Sequence, residues 1–454
     1  MSAEKPELLL PAGTLQNLKT AFLYGADAVY CGMSSFSLRS KSGFSPNDAT
    51  EGIKTAHSIG KKVYIALNLY AHNEDLENMP KITALLGDIK PDGVIVSDSG
   101  VFSLLKKELP QMPICISTQA NLTNWAAVDF WRRQGANKVV LARECSFEEI
   151  KSIRKKCPNI KIETFIHGAM CMSMSGRCLL SNFLSARDAN RGECSQSCRW
   201  KYKLNAKFRE EFDFALEEEN RGGEFFEIDE IGEGSHILSS KDLCLMPVLD
   251  KYLQTGIDSF KIEGRHKNEF YTAIAAKAYR NAIDDWFENP NVWNYENYMP
   301  ILNSAGNRGL TLGFHSGVLT DSAHDYETTK SLGEFRFAGI VRKWEGDYFI
   351  FEVRNTLEVG DEIEFILPNL TEIKFKLKKI IDAKSGGEIS KVSAGQEYCI
   401  RVFAKDFDGF EIDEVKKNIS VFCVAKVKVK GQNSSEKKII ENRKISFAEE
   451  ICKK

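Results

Sequence analysis

Four of the chain's twelve cysteines lie close together in a segment rich in Gly, Ser, Arg and Asn. Six, fifteen and three residues separate them in turn, and they are Cys171, Cys178, Cys194 and Cys198. Four thiolates can close a tetrahedral zinc site or hold a 4Fe–4S cluster. Structural zinc typically uses cysteine pairs separated by about two to four residues, and only the second pair fits that rule. The spacing therefore favours an iron–sulfur cluster and keeps zinc as the alternative.

Other interpretations of the cysteines stay open. Cys244, in the element KDLC, stands at the predicted start of a helix and could replace Cys198 as the fourth ligand. Buried, unreactive thiols are also common, since free cysteine is among the most buried residue types. That simpler role is the expectation for Cys31 and Cys115, which sit inside apolar runs.

Composition narrows the setting in which these thiols work. The start, MSAEKPELLLPAG, lacks the basic and apolar regions of a signal peptide, and no apolar run is long enough to cross a membrane. We therefore expect a cytoplasmic protein without a membrane partner, where clustered thiols serve metal binding or catalysis. Lys and Arg total 61 against 63 Asp and Glu, so only a local basic patch would indicate nucleic acid.

Eight short apolar runs alternate with helical patterns over the first 290 residues or so. They are ELLLPAG (7–13), ADAVYCG (26–32), KKVYIALN (61–68), DGVIVSD (92–98), PICIST (113–118), KVVLA (138–142), KIETFIHG (161–168) and DSFKIEG (258–264). Eight strand-then-helix units predict an α/β fold, a (β/α)8 TIM-like barrel. A doubly wound open sheet is the alternative, because periodicity cannot show closure.

The cysteines follow the seventh run directly, in an insertion of about seventy residues, far longer than an ordinary βα loop. Loops after barrel strands form the C-terminal face, where active sites of this architecture lie. We therefore predict a barrel over 1–290 with an iron–sulfur insertion at 165–240. Its acidic stretch, 209–235, is expected to be a solvated excursion.

The pattern of alternating strands and helices ends at about residue 290. We interpret 291–330 as a linker and 331–430 as a small all-β barrel, since short alternating strands are separated by turns such as Gly-Asp. The last part, 431–454, is Lys-rich and is expected to be a polar tail or a peripheral helix.

Several sequence blocks together resemble one family. ELLLPAG, GADAVYCG, the block ETFIHGAMCMSMSGRCLLSN with RDANRGECSQSCRW, and DSFKIEGR are similar to the collagenase-like peptidase family U32. The resemblance runs from about residue 7 to about 425, and the cysteine block is its most specific part. Within that family the chain most resembles the prephenate-dependent tRNA uridine hydroxylases.

The resemblance implies a function and a cofactor. These hydroxylases act on the wobble uridine of tRNA without oxygen, and related quinone-ring hydroxylases carry a 4Fe–4S cluster on cysteines of this block. Carried over by position, the ligands are Cys171, Cys178, Cys194 and Cys198. Prephenate is then expected as the hydroxyl-donor co-substrate and tRNA as the partner.

A dicarboxylate of this kind needs cations, and arginine binds carboxylates in a bidentate fork. Polar residues at or just past the predicted strand ends could meet on the C-terminal face. For substrate binding they are Arg39, Asn68, Gln119, Arg143, Lys261 and Arg265, and for catalysis Glu163, His167 and Glu263. Glu163 could equally be a structural partner of a barrel lysine or arginine.

Two further functions are weighed against hydroxylation. A peptidase, as the family name states, could pair a thiol with His167, which lies four residues before Cys171. The sequence contains no His-Glu-x-x-His or Gly-x-Ser-x-Gly motif that would support a peptidase. A cysteine peptidase also needs only one nucleophilic thiol, so it does not explain the other three cysteines. The other alternative is a non-enzymatic RNA-binding scaffold stapled by zinc.

Basic strands in the C-terminal region are the predicted tRNA surface. They carry Lys374, Lys376, Lys378, Lys426, Lys428 and Lys430, with Arg342-Lys343-Trp344 nearby. Alternating lysines are also the usual way to keep an edge strand soluble, so a simpler interpretation competes with this one.

Overall fold

The structure is a computed structural model. It describes residues 4–33, 43–171, 173–187, 189–191, 193–200, 202–208, 212–218, 225–228, 239–319, 323–325, 331–369, 371–394, 398–432 and 434–452. Arg39 therefore lies outside the described residues. No helix within these ranges is long and apolar enough to cross a membrane.

All eight predicted runs form strands of one parallel barrel. Barrel strands 1 to 8 are Glu7–Ala12, Ala28–Gly32, Lys62–Leu67, Gly93–Val96, Ile114–Ile116, Lys138–Val140, Lys161–Ala169 and Ser259–Ile262. Consecutive strands pair in parallel, and strand 8 pairs with both strand 7 and strand 1. The ring is closed, so the TIM-like prediction is confirmed and the open-sheet alternative is wrong.

Helices cover the outside of the barrel between strands. The main ones are Leu15–Leu23, Pro46–Ser58, Met79–Ile89, Ser99–Glu108, Trp125–Arg133, Phe147–Lys156, Leu249–Leu253 and Glu269–Glu288. Side chains start several of them: Ser146 and Glu149 form a reciprocal capping box, as Ser45 and Asp48 do. These caps fix where each helix leaves the C-terminal face, and hence the length of each loop on it.

The insertion after strand 7 contains more regular structure than expected. Within the acidic stretch, Phe212–Glu218 pairs antiparallel with Tyr202–Phe208 and with Phe225–Ile228. The strand Asp242–Cys244 pairs antiparallel with the end of barrel strand 7, and Leu310–Thr311 pairs with it in turn. Cys244 thus lies in a strand, and its predicted place at a helix start was wrong.

The segments predicted to be a linker (291–330) and a tail (431–454) both pack against the barrel. Residues 291–330 contribute the helix Met299–Ser304, and 431–454 forms the helix Ser434–Cys452. From that last helix the buried Glu450 accepts a hydrogen bond from the Leu312 backbone N–H at 3.1 Å. The terminal segment is therefore a helix that contacts the segment 291–330.

The C-terminal region is a separate antiparallel all-β unit. Its main strands are Phe335–Glu345, Tyr348–Val353, Glu362–Ile366, Glu372–Lys376, Ile380–Asp382, Glu388–Ile389, Cys399–Phe403 and Val424–Lys428. They form one eight-stranded sheet around an apolar core of its own. Within the described residues no ladder joins its two edge strands, so the expected barrel closure is not seen.

The two units contact each other through specific groups. Tyr24, buried on the barrel side, donates its hydroxyl to the Ile366 carbonyl at 2.5 Å and accepts the Val424 N–H at 3.0 Å. Arg354 pairs with Glu269 at 2.9 Å, at the start of the helix that follows barrel strand 8. The β unit is thus attached to the helix nearest the strand 8 loop.

The barrel interior holds a buried ionic network. Glu163, fully buried on strand 7, accepts from Lys138 at 3.0 Å, Lys261 at 2.9 Å and the Ser259 hydroxyl at 2.9 Å. Burial alone would raise the pKa of Glu163, but the two ammonium groups outweigh it and lower the pKa to about 2. Glu7 joins the network through Lys138 at 2.8 Å. This placement favours the structural interpretation of Glu163 over a catalytic one.

Glu163→Gln should therefore lower the free energy of unfolding by about 3–5 kcal/mol, because two buried lysines lose their counter-charge. Denaturant titration at neutral pH measures this. The rim variant Lys62→Ala, whose half-exposed ammonium lies 3.3 Å from Glu7, should cost about 1 kcal/mol or less.

The pH dependence of the same network has a definite sign. Since the folded pKa of Glu163 is lowered, its stabilisation is complete above about pH 4.5 and is lost as the pH falls toward 2. Equal stability of parent and Glu163→Gln across that range would contradict the assignment.

Candidate active site

Side chains of the cysteine segment, residues 171–200, fasten it to the C-terminal face. Arg177 donates its Nε–H to the Tyr70 hydroxyl at 2.6 Å and to the Gln119 carbonyl at 3.0 Å. Tyr70 itself donates to that carbonyl at 2.7 Å. Tyr70 follows barrel strand 3 and Gln119 follows strand 5, so one arginine ties the segment to two loops.

Two more attachments hold the backbone of the segment. Ser175 donates its N–H and hydroxyl to the Glu144 carboxylate at 2.6 and 2.9 Å. Asn190 bonds both backbone groups of Cys178, accepting its N–H at 3.1 Å and donating to its carbonyl at 3.0 Å. Tyr70, Glu144 and Asn190 were not singled out from the sequence. The position of Glu144, two residues past a predicted strand, was the available signal.

The four cysteines gather at this anchored segment. Cys171 and Cys194 are exposed, and Cys178 and Cys198 are half-buried. Backbone N–H groups of Ser173 and Gln196 each donate to a sulfur, of Cys171 and of Cys194, at 3.4 Å. Such N–H···S contacts stabilise negative charge on sulfur and tune iron–sulfur clusters.

The pKa of Cys198 reflects electrostatic interaction with the other three cysteines. Burial is the main cause that raises this pKa, and the nearby Arg199 lowers it. Cys171, Cys194 and Cys178 raise the pKa further, to about 11. Cys244 is different: it is fully buried in the barrel core, and its thiol lies 3.8 Å from the Tyr279 hydroxyl. The causes that raise the Cys244 pKa include none of the four.

The arrangement of the donors bears on the metal. A tetrahedral zinc site with bonds of about 2.3 Å brings its sulfurs within about 3.8 Å of one another. In the part of the chain that the structure describes, no three side chains of His, Cys, Asp or Glu are arranged to hold a single ion. A four-iron cluster binds each thiolate at a different corner, so it accommodates more widely spaced sulfurs.

Beneath the segment, polar side chains from three strand ends meet. Asn68 donates its amide N–H to Gln119 Oε1 at 2.9 Å, and the Ser97 hydroxyl donates toward the same oxygen at 3.1 Å. All three residues are more than nine-tenths buried. The structure brings together Asn68 and Gln119 as a pair. It adds Ser97, the next-to-last residue of the run DGVIVSD, which was not singled out from the sequence.

On the opposite side of the face, cations surround two aromatic rings. Arg143 pairs with Glu263 at 2.9 Å, and its guanidinium lies 4.0 Å from the Phe165 ring centre. The Lys261 ammonium lies 5.6 Å from the same ring and 4.3 Å from Tyr30.

Arg265 joins this group, with its guanidinium 5.8 Å from the Tyr30 ring centre. Arg143, Lys261 and Arg265 thus share two rings. Glu263 pairs with Arg143, and Glu163 pairs with both Lys261 and Lys138. The mouth of the barrel therefore concentrates cations, which suits an anionic ligand.

The lysines of the β unit are largely neutralised by acids. Lys426 is buried and contacts Glu364 at 3.2 Å and Glu372 at 2.9 Å. Lys374, Lys378 and Lys430 also lie within salt-bridge distance of carboxylates. Five of the six lysines are exposed, and for Lys376 and Lys428 among them no salt bridge is seen within the described residues. Acidic side chains therefore lie beside most of these lysines. This favours the interpretation that the lysines keep an edge strand soluble over the interpretation that they bind RNA.

Comparison with known families identifies the chain. Residues 13–324 match the profile of peptidase family U32, and residues 334–412 match that of the peptidase family U32 C-terminal domain. The chain belongs to peptidase family U32.

Relatives of this chain include tRNA hydroxylation proteins and an uncharacterized protease. The tRNA hydroxylation protein P of Escherichia coli is 36% identical over 426 residues, covering 87% of this chain and 93% of that protein. The tRNA hydroxylation protein P1 of Bacillus subtilis is 36% identical, covering 85% and 89%. An uncharacterized protease of Methanocaldococcus jannaschii is 37% identical, covering 79% and 86%.

The surroundings of His167 bear on whether the protein could act as a cysteine peptidase. Its Nδ1 lies 3.4 Å from the Tyr279 hydroxyl, and its ring stacks on Tyr271 at 5.9 Å, so it packs against helix Glu269–Glu288. In the described ranges no hydrogen bond joins His167 to a cysteine sulfur. Burial is the main cause that lowers the pKa of His167 to about 4. The Cys171–His167 pair that a thiol peptidase needs is not formed here.

His167 also gives the protein a predicted pH response. Because its folded pKa is about 4 and its unfolded pKa about 6.5, the unfolded chain binds an extra proton between these values. Stability should fall by about 1.4 kcal/mol per pH unit from pH 6 to pH 4.5 through this residue. His167→Gln should show a correspondingly shallower decline in denaturant titrations, and parallel curves for the two proteins would contradict the assignment.

Proposed function

We propose that this U32 protein hydroxylates the wobble uridine of tRNA without oxygen, using prephenate as the hydroxyl donor and a 4Fe–4S cluster bound by Cys171, Cys178, Cys194 and Cys198. The observation that carries the proposal is the anchoring of these four thiols over a cation-rich barrel mouth. The tRNA hydroxylation relatives, at 36% identity over most of both chains, support the substrate and the reaction.

The thiol set suits an iron–sulfur cluster in number, spacing and hydrogen bonding. A bound cluster supplies a redox-active, Lewis-acidic centre at the face where the reaction takes place. The protein's own part is to hold the segment that carries the four thiols in place through Arg177, Ser175 and Asn190. Cys198 is favoured over Cys244 as the fourth ligand, because Cys244 lies in the barrel core against Tyr279.

Prephenate binding is assigned to the cations of the barrel mouth. Arg143 is oriented by Glu263 and by the Phe165 face, which leaves its planar fork pre-organised for a carboxylate. Lys261 and Arg265 supply further positive charge beside Tyr30. Two carboxylates of one small molecule can then be held by different cations of the same mouth. Arg39 is kept as a further contact from the strand 2 loop.

The peptidase and scaffold alternatives receive less support. His167 is buried against two tyrosines, which removes the nearest base for a thiol nucleophile. A zinc-stapled scaffold does not call for a ring of cations in the barrel mouth. Metal content separates the scaffold from the hydroxylase without any knowledge of the substrate.

Purified under anaerobic conditions, the protein should contain about four irons and show the broad visible absorption of an iron–sulfur centre. Serine replacement of any one of the four cysteines should lower the iron content and abolish hydroxylation. Cys244→Ser is the matched control and should keep both. Stoichiometric zinc without iron would contradict the proposal, and iron loss in Cys244→Ser alone would move the fourth ligand to that residue.

Arg143→Ala should lower kcat/KM for prephenate by about 10- to 100-fold, the usual effect of losing a charge-assisted contact. Arg265→Ala and Arg39→Ala should act in the same direction, with iron content unchanged. Arg132→Ala, on the outer helix Trp125–Arg133, is the control and should behave as the parent does. Full activity in all three pocket variants would refute the assignment of the mouth as the prephenate site.

A further inference from the structure

The cysteine segment exposes two large apolar side chains beside its thiols. Leu179, directly after Cys178, is 78% exposed, more than any other large apolar side chain in the described chain, and Met174 is 55% exposed. Exposed apolar groups that cluster at an active-site face mark contact surfaces more often than isolated ones do.

This exposure occurs on a fixed turn. Ser175, next to Met174, has a φ of +47°, a conformation that costs free energy in a residue with a side chain. Its N–H and hydroxyl both bind Glu144, which offsets that cost. Arg177 and Cys178 are held by the contacts described above. The pair is therefore presented by a braced backbone at a set position on the face.

We propose that Met174 and Leu179 form a wedge that enters the anticodon loop of tRNA and unstacks the target nucleotide. The inference rests on the proposed function, which supplies the substrate. A base within a stacked loop must leave the stack before an enzyme can reach its reacting carbon. Apolar side chains that separate neighbouring bases are a recurrent way of achieving this.

Charge selects RNA as the occupant of this surface. Arg177, between the two apolar residues, and Arg187 nearby are both exposed cations suited to phosphates. The β unit offers little competition, since most of its predicted RNA-binding lysines contact carboxylates. A loop of single-stranded RNA has both the stacked bases and the phosphates that this mixture of residues fits.

A buried acceptor is linked to the wedge segment and is the partner we propose for the extruded base. Asn68 Oδ1 is shielded from solvent and has no hydrogen-bond partner in the described residues, which costs free energy until a donor arrives. It is linked to the wedge segment through Gln119, which binds Asn68 by its side chain and Arg177 by its carbonyl. The N3–H of uracil is such a donor, whereas the N3 of cytosine is an acceptor and cannot take its place.

The test uses the iron-loaded full-length protein and a tRNA with 2-aminopurine next to the target uridine. Binding by the parent should raise the fluorescence, because the reporter loses a stacking neighbour. Met174→Ala/Leu179→Ala should lose that rise and slow single-turnover hydroxylation by about 10- to 100-fold, with Kd for tRNA changed by about threefold or less. Val292→Ala, with a 73% exposed side chain beyond helix Glu269–Glu288, is the control and should match the parent.

The outcomes separate the two proposals. A parent that neither binds nor hydroxylates tRNA would refute the proposed function itself. If the parent is active and the double variant keeps both the fluorescence rise and the full rate, the wedge is wrong. Weaker binding or slower reaction with an intact fluorescence rise would also refute it, since the pair would then act as a grip or as a site for another protein.

Discussion

The pairing of barrel strand 7 with three neighbours is the constraint on which the rest of the structure depends. Strand 7 pairs with strand 6 on one side and with strand 8 on the other. Its C-terminal end extends past strand 6 and pairs there with the strand Asp242–Cys244. The first two pairings close the ring around Glu163 and its two lysines. The third brings the chain back after the insertion, so both ends of the cysteine-bearing excursion are fixed to the same strand. The same strand therefore takes part in closing the barrel and positions the cysteine segment.

The face above this ring is built from contacts between loops. Gln119 illustrates the principle, because its side chain accepts from Asn68 and Ser97 while its carbonyl accepts from Tyr70 and Arg177. One residue after strand 5 thus connects the polar floor of the site with the segment that covers it. Hydrogen-bonded groups that are buried together resist displacement, since breaking one leaves others unsatisfied.

The sequence predicted the strands well because each of them is short, apolar and ended by a turn residue. It could not predict closure, since ring and open sheet share the same periodicity, and only the pairing of strand 8 with both strand 7 and strand 1 decides between them. The pairing of Arg143 with Glu263 was also hidden, because the two residues lie 120 positions apart. Glu163 was ambiguous for a related reason: a carboxylate at a strand centre is catalytic or structural according to which cations face it.

Charge in this protein is organised locally, and that organisation explains why composition was uninformative about a nucleic-acid partner. Nearly equal numbers of acids and bases conceal two arrangements. In the β unit, lysines and glutamates alternate across neighbouring strands, so Lys426 and its partners cancel within a few ångströms. In the cysteine segment, Arg177 instead contacts a hydroxyl and a carbonyl group, which do not cancel its charge. At the barrel mouth, Arg143 pairs with Glu263 and also contacts the Phe165 ring. The cations therefore keep more of their positive charge where a hydroxyl, a carbonyl or a ring holds them than on the lysine-rich strands, and the proposed contacts with phosphate and carboxylate groups depend on that difference.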